Sequence, residues 1–201
     1  MINDISIKSY TNSDFSSVLS LLVDSFKSKF TFRQTLSPES IKLILSSVWE
    51  LAEHEPGCLH LVAHKDQKIA GVIFVRYGRA REGRKRVPFL SLCHRFGFIQ
   101  VTLLLLKLSI LDHSPASKCY VEHIAVDASL RGAGIGEMLL SHAENMLREK
   151  KFKHLYLTVA RNNPAKHLYI RNGFEDIKIM ASPLKGFLIG ISNWDFMRKD
   201  L

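Results

Sequence analysis

The sequence predicts an α/β protein, a central mixed β-sheet flanked by helices. Three observations carry that expectation. Short apolar strands alternate with helical segments, two of the strands form a tight hairpin, and one long amphipathic helix joins the apolar runs at 120–126 and 154–160. Strands joined by a hairpin are antiparallel, whereas strands joined by a crossover helix are parallel and right-handed, so the sheet must be mixed. At 201 residues the chain reads as a single domain, 1–201, able to bury a substantial core.

Ile5 and Ile7 alternate with polar neighbours and predict a first strand at about 3–10. Asn12 or Ser13 is placed to cap a helix carrying Phe15, Val18, Leu19, Leu22, Val23 and Phe26 at helical spacing. Ser37-Pro38-Glu39 predicts a second helix, with a capping serine, a proline at the first helical position and an acid in the first turn. That helix should run to about Glu53, where Pro56-Gly57 stops the chain. CLHLVAH at 58–64 and KIAGVIFVRYG at 68–78 read as a hairpin turning at Asp66-Gln67.

Residues 79–117 form an insertion, basic at first (Arg79, Arg81, Arg84, Lys85 and Arg86) and then apolar and helix-like. YVEHIAV at 120–126 is a strand, followed by RGAGIG at 131–136 and a helix to about Lys150. HLYLTVA at 154–160 is a strand, and Asn163-Pro164 opens a short helix that Gly173 closes. FEDIKIM at 174–180 and ISNWDFMRK at 191–199 complete the sheet.

Lys and Arg number 28 against 19 Asp and Glu, a formal net charge of +9. This suits an anionic partner without choosing among nucleic acid, a membrane surface and a phosphorylated cofactor. The basic loop has no interleaved aromatics or reading motif, so nucleic acid is not expected. Cys58, Cys93 and Cys119 are widely spaced and contain no CxxC, which indicates neither a disulfide framework nor a zinc ribbon. The histidines lack ligand spacing, so no metal is expected. The longest apolar stretch, Phe96 to Leu111, is interrupted by Gln100 and Lys107 and is short for a bilayer. The first residues lack a signal peptide's apolar core, and the expected location is cytoplasmic with no stable membrane insertion.

The glycines at 132, 134 and 136 are a costly way to begin a helix, because glycine loses the most conformational freedom on folding. Ile135, Met138, Leu139, His142, Ala143, Met146 and Leu147 then repeat at helical spacing, so a helix does begin there. Its first amides have no partner within the helix, and its dipole favours an anion. Strand, glycine turn and helix start together make a phosphate seat, with Arg131 at its lip. A tight turn alone is the other explanation, since RGAGIGEM lacks the Lys-Ser/Thr of a P-loop and its GxGxG spacing is not the dinucleotide GxGxxG.

Val126 to Gly136 resembles the acyl-CoA signature of the GNAT superfamily of N-acetyltransferases, an apolar strand end followed by Arg/Gln-x-x-Gly-x-Gly/Ala. Asn162-Asn163-Pro164-Ala165-Lys166-His167-Leu168-Tyr169-Ile170-Arg171-Asn172-Gly173-Phe174 resembles the family's second block, Asn-x-x-Ala-x-x-Leu-Tyr-x-x-x-Gly-Phe. The resemblance implies a GNAT-like fold and acetyl-CoA as co-substrate. It assigns the pyrophosphate to the amides of Arg131, Gly132, Ala133, Gly134, Ile135 and Gly136. The pantetheine arm would lie along Ile124, Ala125 and Val126 like an added strand, with Asn162 and Ala165 beside it.

Acetyl transfer needs a base for the ammonium, stabilisation of the oxyanion and a proton for the thiolate. Glu122 is the candidate base; strand alternation puts it on one face with Ile124 and Val126, and His123 on the other. A surface ion pair is the alternative role for Glu122. By resemblance Tyr169 is the general acid, and packing its helix onto the sheet is a compatible second role. A backbone amide near Val126 is expected to hold the oxyanion.

The acceptor is expected to be a small-molecule amine or a peptide. An N-terminal or lysine acetyltransferase, or a non-catalytic acyl-CoA-binding regulatory module, are the alternatives. The basic residues of the insertion could read an acidic acceptor. Its apolar residues, Leu103 to Leu106, Leu108, Ile110 and Leu111, could form a lid, a homodimer contact or part of the monomer's core.

Overall fold

The computed structural model describes residues 4–49, 56–78, 87–111 and 118–201. Its strands are β1 (Ile5–Ser9), β2 (Cys58–Lys65), β3 (Lys68–Arg76), β4 (Tyr120–Val126), β5 (His154–Ala160), β6 (Glu175–Ala181) and β7 (Asn193–Asp200). They form one mixed sheet in the order β1-β2-β3-β4-β5-β7-β6, parallel only between β4 and β5. Asp66 and Gln67 turn the β2–β3 hairpin with both φ angles positive, 50° and 62°. This is the twist that a two-residue hairpin requires.

The helices are α1 (Phe15–Ser25), α2 (Lys27–Thr31), α3 (Pro38–Val48), α4 (Phe89–Phe96), α5 (Phe98–Leu111), α6 (Ile135–Glu149), α7 (Ala165–Arg171) and α8 (Pro183–Ile189). One face of the sheet carries α6 and α7, whose Leu139, Leu140, Ala143, Leu147 and Tyr169 pack against Ile73, Val75, Val121, Leu157 and Met197. The opposite face carries α1, whose Val18, Leu21 and Leu22 meet Val62, Val72 and Ala125. α3, α4 and α5 join that layer through Ile41, Ile44, Leu45, Leu92, Val101 and Leu104. α8 extends it, with Leu188, Ile189 and Trp194 against Leu103, Ile110 and Leu111 of α5.

Several boundaries depart from expectation. Thr11, one residue before Asn12 and two before Ser13, caps a 3-10 turn, Asn12–Asp14, that leads into α1, and its backbone N–H donates to Asp14 Oδ2 at 2.9 Å in a capping box. α3 stops at Val48 with Trp49 extended, and the remainder of the expected helix, 50–55, lies outside the described residues. The apolar insertion is two helices, because Gly97 takes a φ of 86° between α4 and α5. Neither α2 nor α8 is expected from the sequence; they have five and seven residues, and Ser182 caps α8 by accepting from the Lys185 N–H.

The two polar residues that interrupt the apolar run have a shared role. Lys107 is fully buried, and its Nζ donates to Phe30 O (2.8 Å), Phe32 O (2.5 Å) and Gln34 Oε1 (2.9 Å). Gln100 accepts from Gln34 Nε2 through its carbonyl (2.9 Å) and from the Thr35 N–H through Oε1 (3.3 Å). α5 therefore completes the monomer's core and clamps residues 30–35. No described helix is long and apolar enough to cross a membrane.

Candidate active site

The sheet opens between its two parallel strands. β4 pairs with β5 only at Tyr120↔Tyr156 and Val121↔Leu157, so among the described residues the edges of Ile124–Val126 and Thr158–Ala160 face each other without ladder bonds. The strands splay toward their C-terminal ends, where β4 leads into the glycine turn. A slot between two strand edges offers amides and carbonyls to an extended chain.

At the mouth of this slot, Gly132 and Gly134 adopt φ of 81° and 75°, and a Cβ on either would meet nothing within 4 Å. Residues 131 to 134 are exposed, and Asp127 braces the approach by accepting from Ser129 N–H at 2.9 Å. Gly134 caps α6, and the first amide to bond back is Met138, to Gly134 O at 3.0 Å. Of the earlier amides, Ala133 N–H donates to Leu130 O at 3.3 Å, which leaves those of Gly132, Gly134, Ile135 and Gly136 without a backbone acceptor among the described residues, a set that fits a diphosphate. Ile135 and Gly136 serve another purpose. Ile135 is a core residue at 1% exposure, and a Cβ on Gly136 would lie 3.0 Å from Leu168 Cδ2. The third glycine thus lets α6 approach α7, and its missing side chain does not clear the anion's path.

Alternation fails at Glu122. The β3–β4 register shifts between Phe74↔His123 and Val75↔Val121, leaving Glu122 as an extra residue in β4. Val121, not Glu122, joins the cluster containing Ile124 and Val126. Glu122 instead pairs with Arg76 Nε, each side chain 16% exposed. The Arg76 guanidinium lies 5.3 Å from the Phe74 ring, and Phe74 stacks on His123 at 5.4 Å. Glu122 and His123 therefore share the side covered by α1 and α3, contrary to the opposite-face expectation.

That side carries residues no motif announced. Tyr10 stacks on His60 at 4.2 Å, His60 meets Phe74 edge-on at 5.1 Å, and Trp49 lies 6.4 Å from His123. Among the described residues, both ring nitrogens of His60 and Nε2 of His123 have no hydrogen-bond partner. Burial, and then His123, pushes His60 down to about 3; burial, and then Arg76, pushes His123 down to about 4. Both imidazoles are neutral at pH 7. Only their alternation in CLHLVAH and YVEHIAV hinted at this wall.

Tyr169 is 7% exposed and packs edge-on against Phe174 at 5.9 Å. Burial raises its phenol above the ordinary range, with Tyr120 adding to the shift, so it stays protonated. Asn162 is exposed just beyond β5 and lines a cleft of about 420 Å³ with Arg161, Lys166 and His167. The Ala165 N–H donates to Asn163 Oδ1 at 2.9 Å, so Asn163 caps α7 and leaves Asn162 to face outward. Arg131 borders a second cleft of about 640 Å³ with Ser17, Lys68 and Asp127. Arg79, Arg81, Arg84, Lys85 and Arg86 lie outside the described residues. No group of three or more His, Cys, Asp or Glu suited to a metal occurs among the described residues.

Streptothricin acetyltransferase of Streptomyces lavendulae is 46% identical over 55 residues, which is 27% of this chain and 29% of that protein. The chain thus spans less than a third of the curated relative that it matches. Among solved structures, ribosomal-protein-alanine N-acetyltransferase from Brucella melitensis aligns with a TM-score of 0.59 at 19% identity, over 98% of this chain and 99% of its own. PaiA N-acetyltransferase from Thermoplasma acidophilum, solved with coenzyme A, aligns at 0.56 and 16% identity over 98% and 99%. These two likenesses concern the fold. The profile described as "Acetyltransferase (GNAT) family" matches residues 22–174, and the chain belongs to that family.

Proposed function

We propose that this protein transfers the acetyl group of acetyl-CoA to a primary amine on a small molecule. The observation that carries the reading is the parting of β4 from β5 beyond Val121, directly beside a glycine turn with open space at Gly132 and Gly134. Acetyl-CoA brings an activated thioester; the chain must bind it, orient it and move protons. The amides of the 131 to 136 turn, that of Ala133 excepted, hold the diphosphate, and backbone groups of Ile124 and Val126 hold the pantetheine arm with Asn162 and Ala165 alongside. Glu122, directly or through one water, takes a proton from the acceptor's ammonium. The Arg76 side chain pairs with this carboxylate and fixes its position in the strand. A backbone N–H near Val126 stabilises the charge developing on the acetyl oxygen. Tyr169, kept neutral by burial, donates its proton to the departing thiolate. The local identity to an acetyltransferase named for streptothricin favours a small-molecule acceptor over a peptide.

The test is amine-dependent release of free thiol from acetyl-CoA, with Glu122→Gln beside the parent protein. Loss of a general base is expected to lower kcat by about a hundredfold and to change the shape of the pH profile. Acetyl-CoA affinity should change little. Undiminished turnover in Glu122→Gln would take this residue out of the base role. Tight acetyl-CoA binding with no thiol release on a broad amine panel would favour a regulatory module.

A further inference from the structure

Three segments that are distant in the chain converge on the helix-layer face beside the end of β5. Residues 25–38 contain α2, residues 87–111 contain α4 and α5, and residues 177–194 contain α8 and the first turn of β7. None of the three contains an Asp or a Glu. They are nonetheless rich in cations, with Lys29, Arg33, Lys107 and Lys185 among them. Lys107 is satisfied by the carbonyls of Phe30 and Phe32. Arg33 lies over the Phe187 ring at 4.5 Å.

Lys29 and Lys185 stand differently. Their Nζ atoms lie 5.3 Å and 4.9 Å from the Trp194 ring, so two ammonium groups share one indole. Neither has a carboxylate partner among the described residues. Burial, and then the nearby Lys185, pushes Lys29 down to about 8, and burial also lowers Lys185. A cation–π contact returns less than a paired carboxylate would, and like charges on one ring repel. Half-buried ammonium groups held in this way are not neutralised by any carboxylate of the described residues, and an anion seated between them would gain from both charges.

The position supplies the purpose. Trp194 is the register partner of Ala160, the last residue of β5, and the two share one apolar cluster with Leu188 and Ile189. α1 packs on β4, the other wall of the opening, and α2 follows α1 directly. Lys29 and Lys185 therefore sit together at the β5 side of the opening, on the face opposite α6, the side on which Glu122 and Arg76 lie.

We propose that the Lys29–Trp194–Lys185 corner binds the oxyanion group, carboxylate or phosphate, of an acceptor amine, and so selects anionic amines over neutral ones. This rests on the acetyl-transfer reading for the identity of the acceptor, but the anion subsite is testable without turnover.

The chain has two tryptophans, so Trp49→Phe leaves Trp194 as the reporting indole. In that background the emission is titrated with O-phosphoethanolamine against ethanolamine, and with glycine against glycinamide. Saturable quenching is expected from the anionic member of at least one pair, and which pair responds distinguishes phosphate from carboxylate. Lys29→Gln with Lys185→Gln should weaken that binding by about tenfold or more, while Lys185→Arg retains it. With acetyl-CoA present, the same anionic amine should be preferred in kcat/KM by a similar factor. Equal quenching by charged and neutral members, or unchanged binding in the double variant, overturns the proposal. Lysine-dependent binding without acetylation of any amine would uphold the subsite and sink the transfer reading. Acetylation without discrimination would do the reverse.

Discussion

The glycine turn at 131–136 and the corner between α2, α5 and α8 border the same opening in the sheet, yet they are built in opposite ways. The turn is contiguous, and its working groups are backbone amides exposed by two positive-φ glycines. The corner is assembled from segments more than 60 residues apart, and its groups are ammonium side chains with no carboxylate partner among the described residues. A contiguous turn can persist unchanged while the rest of a chain diverges. A corner made by packing changes whenever any one of its contributors changes. On the proposed reading, the cofactor meets the contiguous turn and the acceptor meets the corner made by packing.

Substitutions on the two sides should separate cleanly. Lys107→Met removes the ammonium that holds Phe30 O and Phe32 O and leaves those buried carbonyls unsatisfied. It is expected to destabilise the protein by about 3 kcal/mol in urea unfolding, with acetyl-CoA affinity nearly intact. A loss below about 1 kcal/mol would show that packing of α2 against α8, not Lys107, holds the corner.

Gly134→Val should do the converse. Its φ of 75° strains a β-branched residue, and the seat distorts. Calorimetry should show acetyl-CoA affinity reduced by about a hundredfold, in a protein whose circular dichroism is that of the parent. Normal affinity in a folded Gly134→Val protein would contradict the seat.

Stability of the layer around the Tyr10, His60, Phe74 and His123 rings should also depend on pH. His60 and His123 titrate at about 3 and 4 in the fold but at about 6.5 when unfolded. The unfolded chain therefore binds more protons between these values. Stability is full above pH 6.5 and falls as pH drops toward 4, by on the order of 2 kcal/mol per buried imidazole at pH 5. His60→Phe, which keeps the ring stack on Tyr10, should flatten that decline. An unchanged slope would mean that other groups set it.

The smallest effect belongs to Gly136→Ala. Better helix propensity offsets the contact with Leu168, and the net change should stay below about 1 kcal/mol. Leu168→Ala in the same protein should turn the substitution stabilising. Acetyl-CoA affinity should shift far less than in Gly134→Val.

Much of the fold was legible before any coordinates. The hairpin at 58–76, the strands at 120–126 and 154–160, and α6 follow from alternation, helical spacing and turn chemistry, each of which acts over a few residues. The glycine turn was legible for the same reason. α2 and α8 were not, since five and seven residues are too short for a period to appear, and packing holds them. The face on which Glu122 lies was misread because a bulge adds one residue, and only the β3–β4 register reveals it.

The sequence by itself determined the strands, the longer helices and the glycine turn that opens α6, because those outcomes depend on local dihedral preference and spacing. The tertiary structure alone decided that β4 and β5 part beyond Val121, that Glu122 meets Arg76, and that Lys29 and Lys185 meet over Trp194. Such juxtapositions join residues tens to more than a hundred positions apart, and are set by which surfaces pack together.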